Sequence, residues 1–303
     1  MSFAPFTIDV PGTSANLGPG FDTLGVALEL LNTVRVEPAD RWEMIVEGEG
    51  ADRLTLGDRN LLYRAMTTGA RRWGVEIPPA RLLCSNLVPL SRGLGSSSAA
   101  IIAGLLIAAG LAGADPPEDD ILHIASEIEG HPDNVVPALL GGVQVCALDD
   151  GKVAHVRVPL ARPINVALFV PEVPMPTREA RAVIPRRIDL HDAVYNISRA
   201  CLLVAALASG ETDAIRVGTQ DMLHQPHRMR LFPTMPVLFH AALEAGALGV
   251  YLSGAGSTVA AFVSGDGAPV ANAMAEAAAR DGVSGRPLIT AVRETGAVVI
   301  GTS

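Results

Sequence analysis

Residues 89–100 have the sequence PLSRGLGSSSAA and lead directly into residues 99–114, the most apolar stretch of the chain. A glycine- and serine-rich segment at the start of a helix leaves several backbone N–H groups without partners, beside the positive end of the helix dipole. Such groups bind phosphate, and a serine hydroxyl in the first helical turn can bind phosphate or Mg²⁺. A serine cap after a tight turn is the alternative, but three consecutive serines before an apolar helix favour an anion-binding site.

A second polar cluster closes the next predicted helix, where residues 126–134 have the sequence SEIEGHPDN. Glu127 and Glu129 lie at the C-terminal end of that helix, where the helix dipole disfavours a carboxylate. A cation or another ligand near the helix end would compensate for this cost, and a solvated helix end followed by an Asp-Asn turn is the alternative. Together with the phosphate-binding loop, the cluster could hold a nucleotide and its metal ion without a lysine.

Three further segments carry polar residues that also have ordinary structural explanations. Asn16 and Asp22 lie in a glycine-rich loop, where such residues commonly stabilise turns. Residues 253–258 have the sequence SGAGST and are typical of a bulge or hairpin between strands. Thr177 and Arg181 share one face of a predicted helix, where the arginine could bind a carboxylate or form part of an ordinary surface pair.

Two histidines, His224 and His227, have a spacing that could suit metal ligands. Pro226 lies between them, and no third ligand is apparent in the sequence. The pair therefore gives little support for a metal site.

Lys152 is the one lysine among the 23 lysine and arginine residues, and it lies in a predicted hairpin turn. A Walker A loop, a protein kinase and a pyridoxal phosphate enzyme each need a lysine in the active site. The sequence therefore excludes these classes, and anion binding must depend on arginine, backbone amides or a metal ion.

The overall composition indicates a globular protein that binds neither nucleic acid nor membrane. A length of 303 residues with 49% hydrophobic and 18% charged residues predicts a packed core and favours two domains. The net charge of −9 and an aromatic content of 4% argue against a nucleic-acid surface. Three widely separated cysteines exclude a disulfide scaffold and indicate a reducing compartment. No leader sequence or stretch of membrane-spanning length is visible, so the expected location is the cytoplasm.

Strand and helix signals are mixed along the chain without regular alternation, which predicts an α+β fold. A helix is expected over residues 60–73, with Asn60 as its N-cap and Gly74 ending it. Strands at residues 33–37 and 42–47 are expected to form a hairpin. An irregular loop is expected at residues 11–20. A boundary at residues 159–163 would divide the chain into two domains, residues 1–160 and 161–303.

Four of these segments, taken in order, resemble motifs of the GHMP kinase superfamily, particularly of its members that act on homoserine. Residues 11–22, PGTSANLGPGFD, are similar to the substrate motif, and residues 89–100 are similar to the phosphate loop. Residues 129–134, EGHPDN, are similar to the middle motif, and residues 252–256, LSGAG, to the C-terminal glycine motif. Their order and spacing extend over nearly the whole chain.

The resemblance implies a two-domain GHMP kinase fold, with an N-terminal domain like one in a ribosomal protein and a ferredoxin-like C-terminal domain. It implies transfer of the γ-phosphoryl group of ATP, with Mg²⁺, to the side-chain hydroxyl of L-homoserine on the route to threonine. It also implies a homodimer.

The same resemblance assigns roles to individual residues. ATP would bind Pro89, Leu90, Ser91, Arg92, Gly93, Leu94, Gly95, Ser96, Ser97, Ser98 and Ala99. Mg²⁺ would be held by Ser97 and Glu127, with Glu129 as the alternative to Glu127. Homoserine would be surrounded by Asn16, Asp22, His131, Thr177, Arg181, Arg228 and Gly254. Asp133 and Asn134 would be catalytic: Asp133 takes the hydroxyl proton or orients the substrate, and Asn134 lies beside the reacting hydroxyl.

The sequence departs from the usual family pattern at Gly12, Ser98 and Ser257, and the extra hydroxyl of Ser98 leaves the choice of Mg²⁺-binding serine open. Two other functions compete with the expected one. A kinase for another small alcohol, such as mevalonate or a sugar, is disfavoured because Asp22 and the arginines suit an amino acid. A catalytically silent sensor of nucleotide or amino acid is disfavoured because Ser97, Glu127 and Asp133 are all present.

Overall fold

The computed structural model describes residues 3–301, and within that range the chain forms two β-sheets packed against helices. The first sheet contains β1 (Phe6–Ala15), β2 (Leu24–Pro38), β3 (Glu43–Gly48), β4 (Ala80–Asn86), β5 (Val143–Asp149), β6 (Lys152–Val158) and β11 (Val298–Gly301). Its strand order is β11-β1-β2-β4-β3, and β5 pairs with both β2 and β6. The helices of this half are α1 (Leu61–Trp73), α2 (Ser96–Ala112), α3 (Glu118–Glu129) and α4 (Pro132–Leu140).

The second sheet is antiparallel and has the order β10-β7-β9-β8. Its strands are β7 (Asn165–Pro171), β8 (Gly249–Leu252), β9 (Val259–Val263) and β10 (Gly285–Ala291). The helices of this half are α5 (Thr177–Ala182), α6 (Leu190–Ser209), α7 (Ile215–Gly218), α8 (Gln225–Arg228), α9 (Met235–Glu244) and α10 (Ala268–Arg280). The mixture of sheets and helices confirms the expected α+β class.

Helix α2 is apolar on all sides because it is enclosed by other elements of the first half. It packs against α1, α3, α4 and β1. At Gly104 a Cβ atom would lie 2.3 Å from the carbonyl oxygen of Leu62, so only glycine permits this approach to α1. Ile101, Ile102 and Leu105 are fully buried, and each such side chain contributes about 1.5–3 kcal/mol of burial free energy. The packing fixes the helix and therefore the position of its N-terminus.

Helix α1 begins and ends where the sequence predicts. The side chain of Asn60 accepts a hydrogen bond from the backbone N–H of Tyr63, which is the geometry of an N-cap. Gly74 ends the helix in the left-handed conformation.

The predicted hairpin of residues 33–37 and 42–47 is wrong. Both segments are strands, but β4 lies between them, antiparallel to β2 and parallel to β3. Alternating polarity specifies a strand and its buried face, whereas the partner is decided by packing. The predicted loop also begins later, because β1 continues to Ala15.

The expected domain boundary at residues 159–163 falls between β6 and β7, which belong to different sheets. The last strand, β11, returns to the first sheet and pairs with β1. The division into residues 1–160 and 161–303 stays a prediction. In residues 3–301 no helix combines the length and apolar character needed to cross a bilayer.

Candidate active site

A cavity of about 380 Å³ lies where the four motif segments meet. Most of the residues singled out in the sequence line it: Asn16, Asp22, Leu90, Ser91, Arg92, Gly93, Leu94, Gly95, Ser96, Ser97, Ala99, Glu129, His131, Asp133, Asn134, Thr177, Arg181, Arg228 and Gly254. Pro89, Ser98 and Glu127 do not belong to the lining. Residues from both halves of the chain therefore contribute to one site.

The phosphate-loop segment is held by hydrogen bonds to both halves of the protein. The N–H of Thr13 donates to the carbonyl oxygen of Leu94 at 3.0 Å. The hydroxyl of Ser253 donates to the carbonyl oxygen of Gly93 at 2.6 Å. The partly exposed Arg92 donates through Nε to the carbonyl oxygen of Pro171 at 2.7 Å. These hydrogen bonds to its carbonyl groups hold the loop in place. They do not use its backbone N–H groups, which are left for a ligand.

Two glycines allow this loop to lie against its neighbours. A Cβ atom on Gly93 would lie 2.0 Å from the carbonyl oxygen of Ser253, and one on Gly95 would lie 1.9 Å from Oγ1 of Thr13. Both residues have positive φ angles, of 75° and 68°. Gly95 is the N-cap of α2, and it has no side chain to satisfy the first-turn amides. In the part of the chain that the structure describes, the N–H groups of residues 96–98 have no acceptor and are available to an anion.

At the start of α2, one serine and one glutamate among the predicted alternatives lie together. The hydroxyl of Ser97 donates to Oε1 of Glu129 at 2.6 Å, and both residues line the cavity. Ser98 is completely buried outside the lining, and its hydroxyl has no partner among the described residues. Glu127 lies on the outer surface, with one oxygen 3.2 Å from Arg72 and the other 3.3 Å from His123. Ser97 and Glu129 therefore form the oxygen pair at the helix end.

The residues that begin α4 form a buried polar group beside this pair. Asp133 is 1% exposed, and its Oδ1 lies 2.5 Å from Nδ1 of His131 and 3.4 Å from Nδ2 of Asn134. Asn134 in turn accepts a hydrogen bond from the Thr13 hydroxyl at 2.8 Å. A Cβ atom on Gly25 would lie 1.7 Å from the carbonyl oxygen of Asp133, so this glycine lets α4 approach β2. The Asp133 carboxylate is thus fixed from several sides.

Burial of His131 favours its neutral imidazole, but the hydrogen bond and charge of Asp133, with the charges of Glu129 and Asp22, have the larger combined effect. The pKa of His131 is therefore raised above the ordinary 6.5. A raised folded-state pKa means that the stabilisation is fully present below pH 6.5 and is lost as the pH rises through the raised value.

We therefore expect the stability difference between the wild type and His131→Gln to shrink as the pH rises. The measurement is the free energy of unfolding from denaturant titrations between about pH 6 and 9. His240, which is 75% exposed, provides the control substitution His240→Gln. A difference for His131→Gln that is constant or grows with pH would contradict the raised pKa.

A second charged group lines the cavity beyond Asp133. Arg181 donates to both oxygens of Asp22, at 2.9 and 2.6 Å, in a bidentate pair. Burial lowers the pKa of Arg181, but the hydrogen bond and charge of Asp22, with the charges of Asp133 and Glu129, together outweigh this effect, and the net direction is upward. Asp22 has a positive φ of 56° and receives support from Asn16, whose Oδ1 accepts from its backbone N–H at 3.1 Å. Atoms of Asp22, His131 and Asp133 lie within 4.8 Å of one another.

Arg228 brings a second guanidinium to the same end of the cavity. It is 2% exposed, and its Nη1 donates to the carbonyl oxygen of Gly254 at 2.7 Å. Burial, with the neighbouring charge of Arg181, lowers its pKa to about 10, so it remains charged near neutral pH. Phe21 lies between the arginines, with its ring centre 5.2 Å from Arg181 and 5.6 Å from Arg228. This end therefore offers the Asp22 carboxylate and two guanidinium groups, next to the buried carboxylate of Asp133.

The other end of the cavity was missed in the sequence. Its lining is mainly apolar or neutral and polar, with one cation, Arg59. Apart from Leu90, which the sequence analysis named, the residues are Asn32, Val34, Met44, Val46, Leu54, Arg59, Asn60, Leu61, Leu62, Cys84 and Asn86. Several of these residues lie on β2, β3 and β4, whose order could not be derived from the strand pattern. Asn60 was identified only as a helix cap. An apolar, partly polar surface next to an anion-binding loop suits a flat heterocyclic base.

The cavity thus has three adjoining regions. They are an apolar end, an anion-binding loop with a hydroxyl–carboxylate pair, and a charged end with a buried aspartate. This arrangement can hold a nucleotide with its phosphates on the loop. It can also place a small charged molecule where the phosphates end.

Comparison with known proteins identifies relatives over nearly the whole chain. Residues 60–142 match the model of the GHMP kinases N terminal domain, and residues 203–280 match that of the GHMP kinases C terminal. A homoserine kinase from Moorella thermoacetica is 42% identical over 293 residues, covering 97% of this chain and 99% of the relative. One from Thermus thermophilus is 43% identical over 288 residues, with coverages of 94% and 95%. The crystal structure of a homoserine kinase from Cytophaga hutchinsonii has a TM-score of 0.88 at 28% identity and covers 98% of each chain.

Proposed function

The chain belongs to the GHMP kinase family, and from that membership we propose that it phosphorylates L-homoserine with ATP. The γ-phosphoryl group moves to the side-chain hydroxyl, which gives O-phospho-L-homoserine and ADP. The relatives that carry the name homoserine kinase cover 94–98% of this chain, so the proposed activity is assigned to both halves together and not to one domain.

The observation that carries the choice of substrate is the bidentate pair of Asp22 and Arg181 at the end of the cavity. A free amino acid carries an ammonium and a carboxylate, and these have the opposite charges to this pair. The substrate ammonium can bind Asp22 while its carboxylate binds Arg181 and Arg228. The internal ion pair is thereby exchanged for two pairs with the substrate. Mevalonate and sugars have no ammonium to replace Arg181 at Asp22.

The reaction depends mainly on positioning, because phosphoryl transfer needs little covalent help from the protein. The amides at the start of α2 hold the phosphates and offset their charge. Asp133, beside the substrate end, accepts the hydroxyl proton or orients the hydroxyl, and Asn134 lies next to the same group. His131 keeps the Asp133 carboxylate in one orientation through its hydrogen bond.

Mg²⁺ fits the residues at the helix end. The hydroxyl of Ser97 and the carboxylate of Glu129 are hard oxygen donors held together at 2.6 Å beside the phosphate site. Ser97 and Glu129 would hold the ion, which would offset charge on the phosphate groups when bound. Ser98 is buried in the core and Glu127 is on the outer surface, so neither is proposed as a ligand.

The test is a comparison of acceptors with ATP and Mg²⁺, in which ADP release and the phosphorylated product are both measured. L-homoserine is compared with mevalonate, galactose, L-serine and L-threonine. Turnover with homoserine in clear preference to the others is expected. Turnover with mevalonate or galactose alone would overturn the proposed substrate, and ATP binding without any turnover would favour a sensor.

Substitution of either member of the charged pair should raise the KM for homoserine. Asp22→Asn and Arg181→Gln each remove one substrate contact and leave the opposite charge unpaired, so we expect an increase of about 30-fold or more. The KM for ATP should stay within about twofold, because the phosphate loop is untouched. Arg178→Gln, at an exposed position of the same helix, is the matched control. An unchanged KM for homoserine in both variants would remove the pair from the substrate site.

Two further expectations remain proposals of the same kind. We propose a homodimer, which sedimentation of the purified protein would test. We also propose a cytoplasmic location, which is consistent with ATP as the phosphoryl donor and with free thiols at Cys84, Cys146 and Cys201.

A further inference from the structure

His224 is a completely buried residue that the proposed reaction does not use directly. It is the N-cap residue of α8 and does not line the cavity. Its Nε2 lies 2.7 Å from the carbonyl oxygen of Gly18, and its Nδ1 lies 3.0 Å from Nη1 of Arg228. One imidazole thus connects the loop that carries Asp22 to the guanidinium that faces the substrate end.

The partners of the ring determine its tautomer. A carbonyl oxygen can only accept, so Nε2 carries the proton and donates to Gly18. Nδ1 is then the acceptor for Arg228, and both bonds require a neutral ring. Burial, together with the positive charge of Arg228, lowers the pKa of His224 to about 4, and the opposing charges of Asp221 and Asp22 do not reverse this direction. The ring is therefore neutral wherever the enzyme is folded near neutral pH.

The backbone around His224 is fixed independently of the substrate. The carboxylate of Asp221 accepts from the N–H groups of Leu223, His224 and Gln225 at 2.7–3.0 Å. Asn196 of α6 donates to the same carboxylate at 2.7 Å. The backbone that carries the His224 ring is therefore fixed, and the hydrogen bond from Arg228 to the ring holds the guanidinium in a fixed position.

The hydrogen bonds of Arg228 determine which of its nitrogen atoms is left for a ligand. Nη1 has two N–H groups, and they are directed at His224 Nδ1 and at the carbonyl oxygen of Gly254. Nε donates to the carbonyl oxygen of Ala180 at 3.3 Å. Within residues 3–301, Nη2 has no acceptor, so it is the part of the guanidinium left for a ligand in the cavity.

We infer that His224 is a positioning residue for substrate binding, because it holds Arg228 so that Nη2 meets the substrate carboxylate. Its second bond keeps the loop of Asn16 and Asp22 in register with Arg228. The two groups that bind opposite ends of the amino acid are thereby held at a fixed separation. This inference rests on the proposed function, since it needs a carboxylate in the substrate.

Two amide substitutions test the two hydrogen bonds of the imidazole ring separately. In His224→Asn, the side-chain oxygen occupies the place of Nδ1 and can still accept from Arg228. In His224→Gln, the amide nitrogen reaches the place of Nε2 and can still donate to Gly18, but nothing accepts from Arg228. His224→Leu loses both bonds, and His240→Asn at an exposed position is the matched control.

We expect His224→Asn to keep the KM for homoserine within about threefold of wild type, and His224→Gln and His224→Leu to raise it about tenfold or more. The KM for ATP and the melting temperature of His224→Gln should stay close to those of His224→Asn. A purely structural role would move both KM values and the melting temperature together.

The inference is overturned if the asparagine and glutamine variants have equal KM values for homoserine, or if the KM for ATP rises as much. Wild-type enzyme assayed with homoserine is the separate control for the proposed function. Lack of turnover by the wild type would overturn that function and this inference together. Wild-type turnover with indistinguishable variants would overturn only the role of His224.

Discussion

Asp133→Asn is expected to lower kcat for homoserine phosphorylation by about 10²–10⁴-fold, the range that a positioned acid–base group contributes. The carboxylate is 1% exposed and has one dominant partner, Nδ1 of His131 at 2.5 Å. Asparagine keeps the shape and can still accept from His131, so packing around α4 should survive. What it loses is the negative charge and the ability to accept a proton.

The kinetic constants and thermal unfolding of the purified variant check this expectation. The KM for ATP should change little, because among the described residues no hydrogen bond joins the phosphate loop to the Asp133 side chain. Asp119→Asn, on the exposed first turn of α3, is the control for charge removal. A kcat within about threefold of wild type would exclude Asp133 from the reaction, whatever its burial suggests.

The two roles left open for Asp133 differ in their dependence on His131. If Asp133 only orients the substrate, its own orientation matters most, and loss of the His131 hydrogen bond should be nearly as harmful as loss of the charge. If Asp133 accepts the proton, the charge matters most, and His131→Gln should retain much more activity than Asp133→Asn. Comparison of kcat for the two variants distinguishes the roles.

Local chemistry in the sequence predicted those parts of the fold that depend on neighbouring residues. Asn60 and Gly74 enclose α1 because capping and left-handed termination are decided within a few residues. The loop before α2 was predicted for the same reason. The hairpin of β2 and β3 was wrong because strand pairing is a long-range property: β4 inserts between them from residues 80–86.

The site was predictable where a motif placed several functional groups close together in sequence. Ser97, Asp133 and Asn134 all line the cavity, as does Arg181. The apolar end was not predictable, because β2, β3 and β4 contribute ordinary apolar residues to it and their order was unknown. The role proposed for His224 was not predictable either, because it depends on contacts to Gly18 and Arg228 that no local sequence pattern specifies.

The sequence could not decide between Glu127 and Glu129 as the carboxylate that faces the phosphate site. Residues two apart on a helix point about 200° away from each other, so both carboxylates cannot face one ligand. The sequence pattern of α3 did not say which face meets α2. The structure turns Glu129 to Ser97 at 2.6 Å and Glu127 to Arg72 and His123 on the surface.

Glu129→Gln and Glu127→Gln therefore form a matched pair of substitutions with opposite expected results. Glu129→Gln should lower kcat/KM for ATP by about 10²–10³-fold, because it removes a carboxylate that would hold the metal ion offsetting the charge of the reacting phosphates. It should also raise the Mg²⁺ concentration needed for half-maximal activity. Glu127→Gln loses only half-exposed ion pairs, which are worth about 0–1 kcal/mol, and its kinetics should match the wild type.

Steady-state kinetics with ATP and Mg²⁺ varied in turn provide the measurement, and thermal unfolding shows whether either variant is damaged. Because both changes replace one glutamate by glutamine on the same helix, differences in helix propensity and charge cancel between them. What remains is the face of α3 on which each carboxylate lies. A larger loss in Glu127→Gln would mean that α3 presents its other face to the nucleotide, and the hydroxyl–carboxylate pair at Ser97 would then have no part in binding the metal ion.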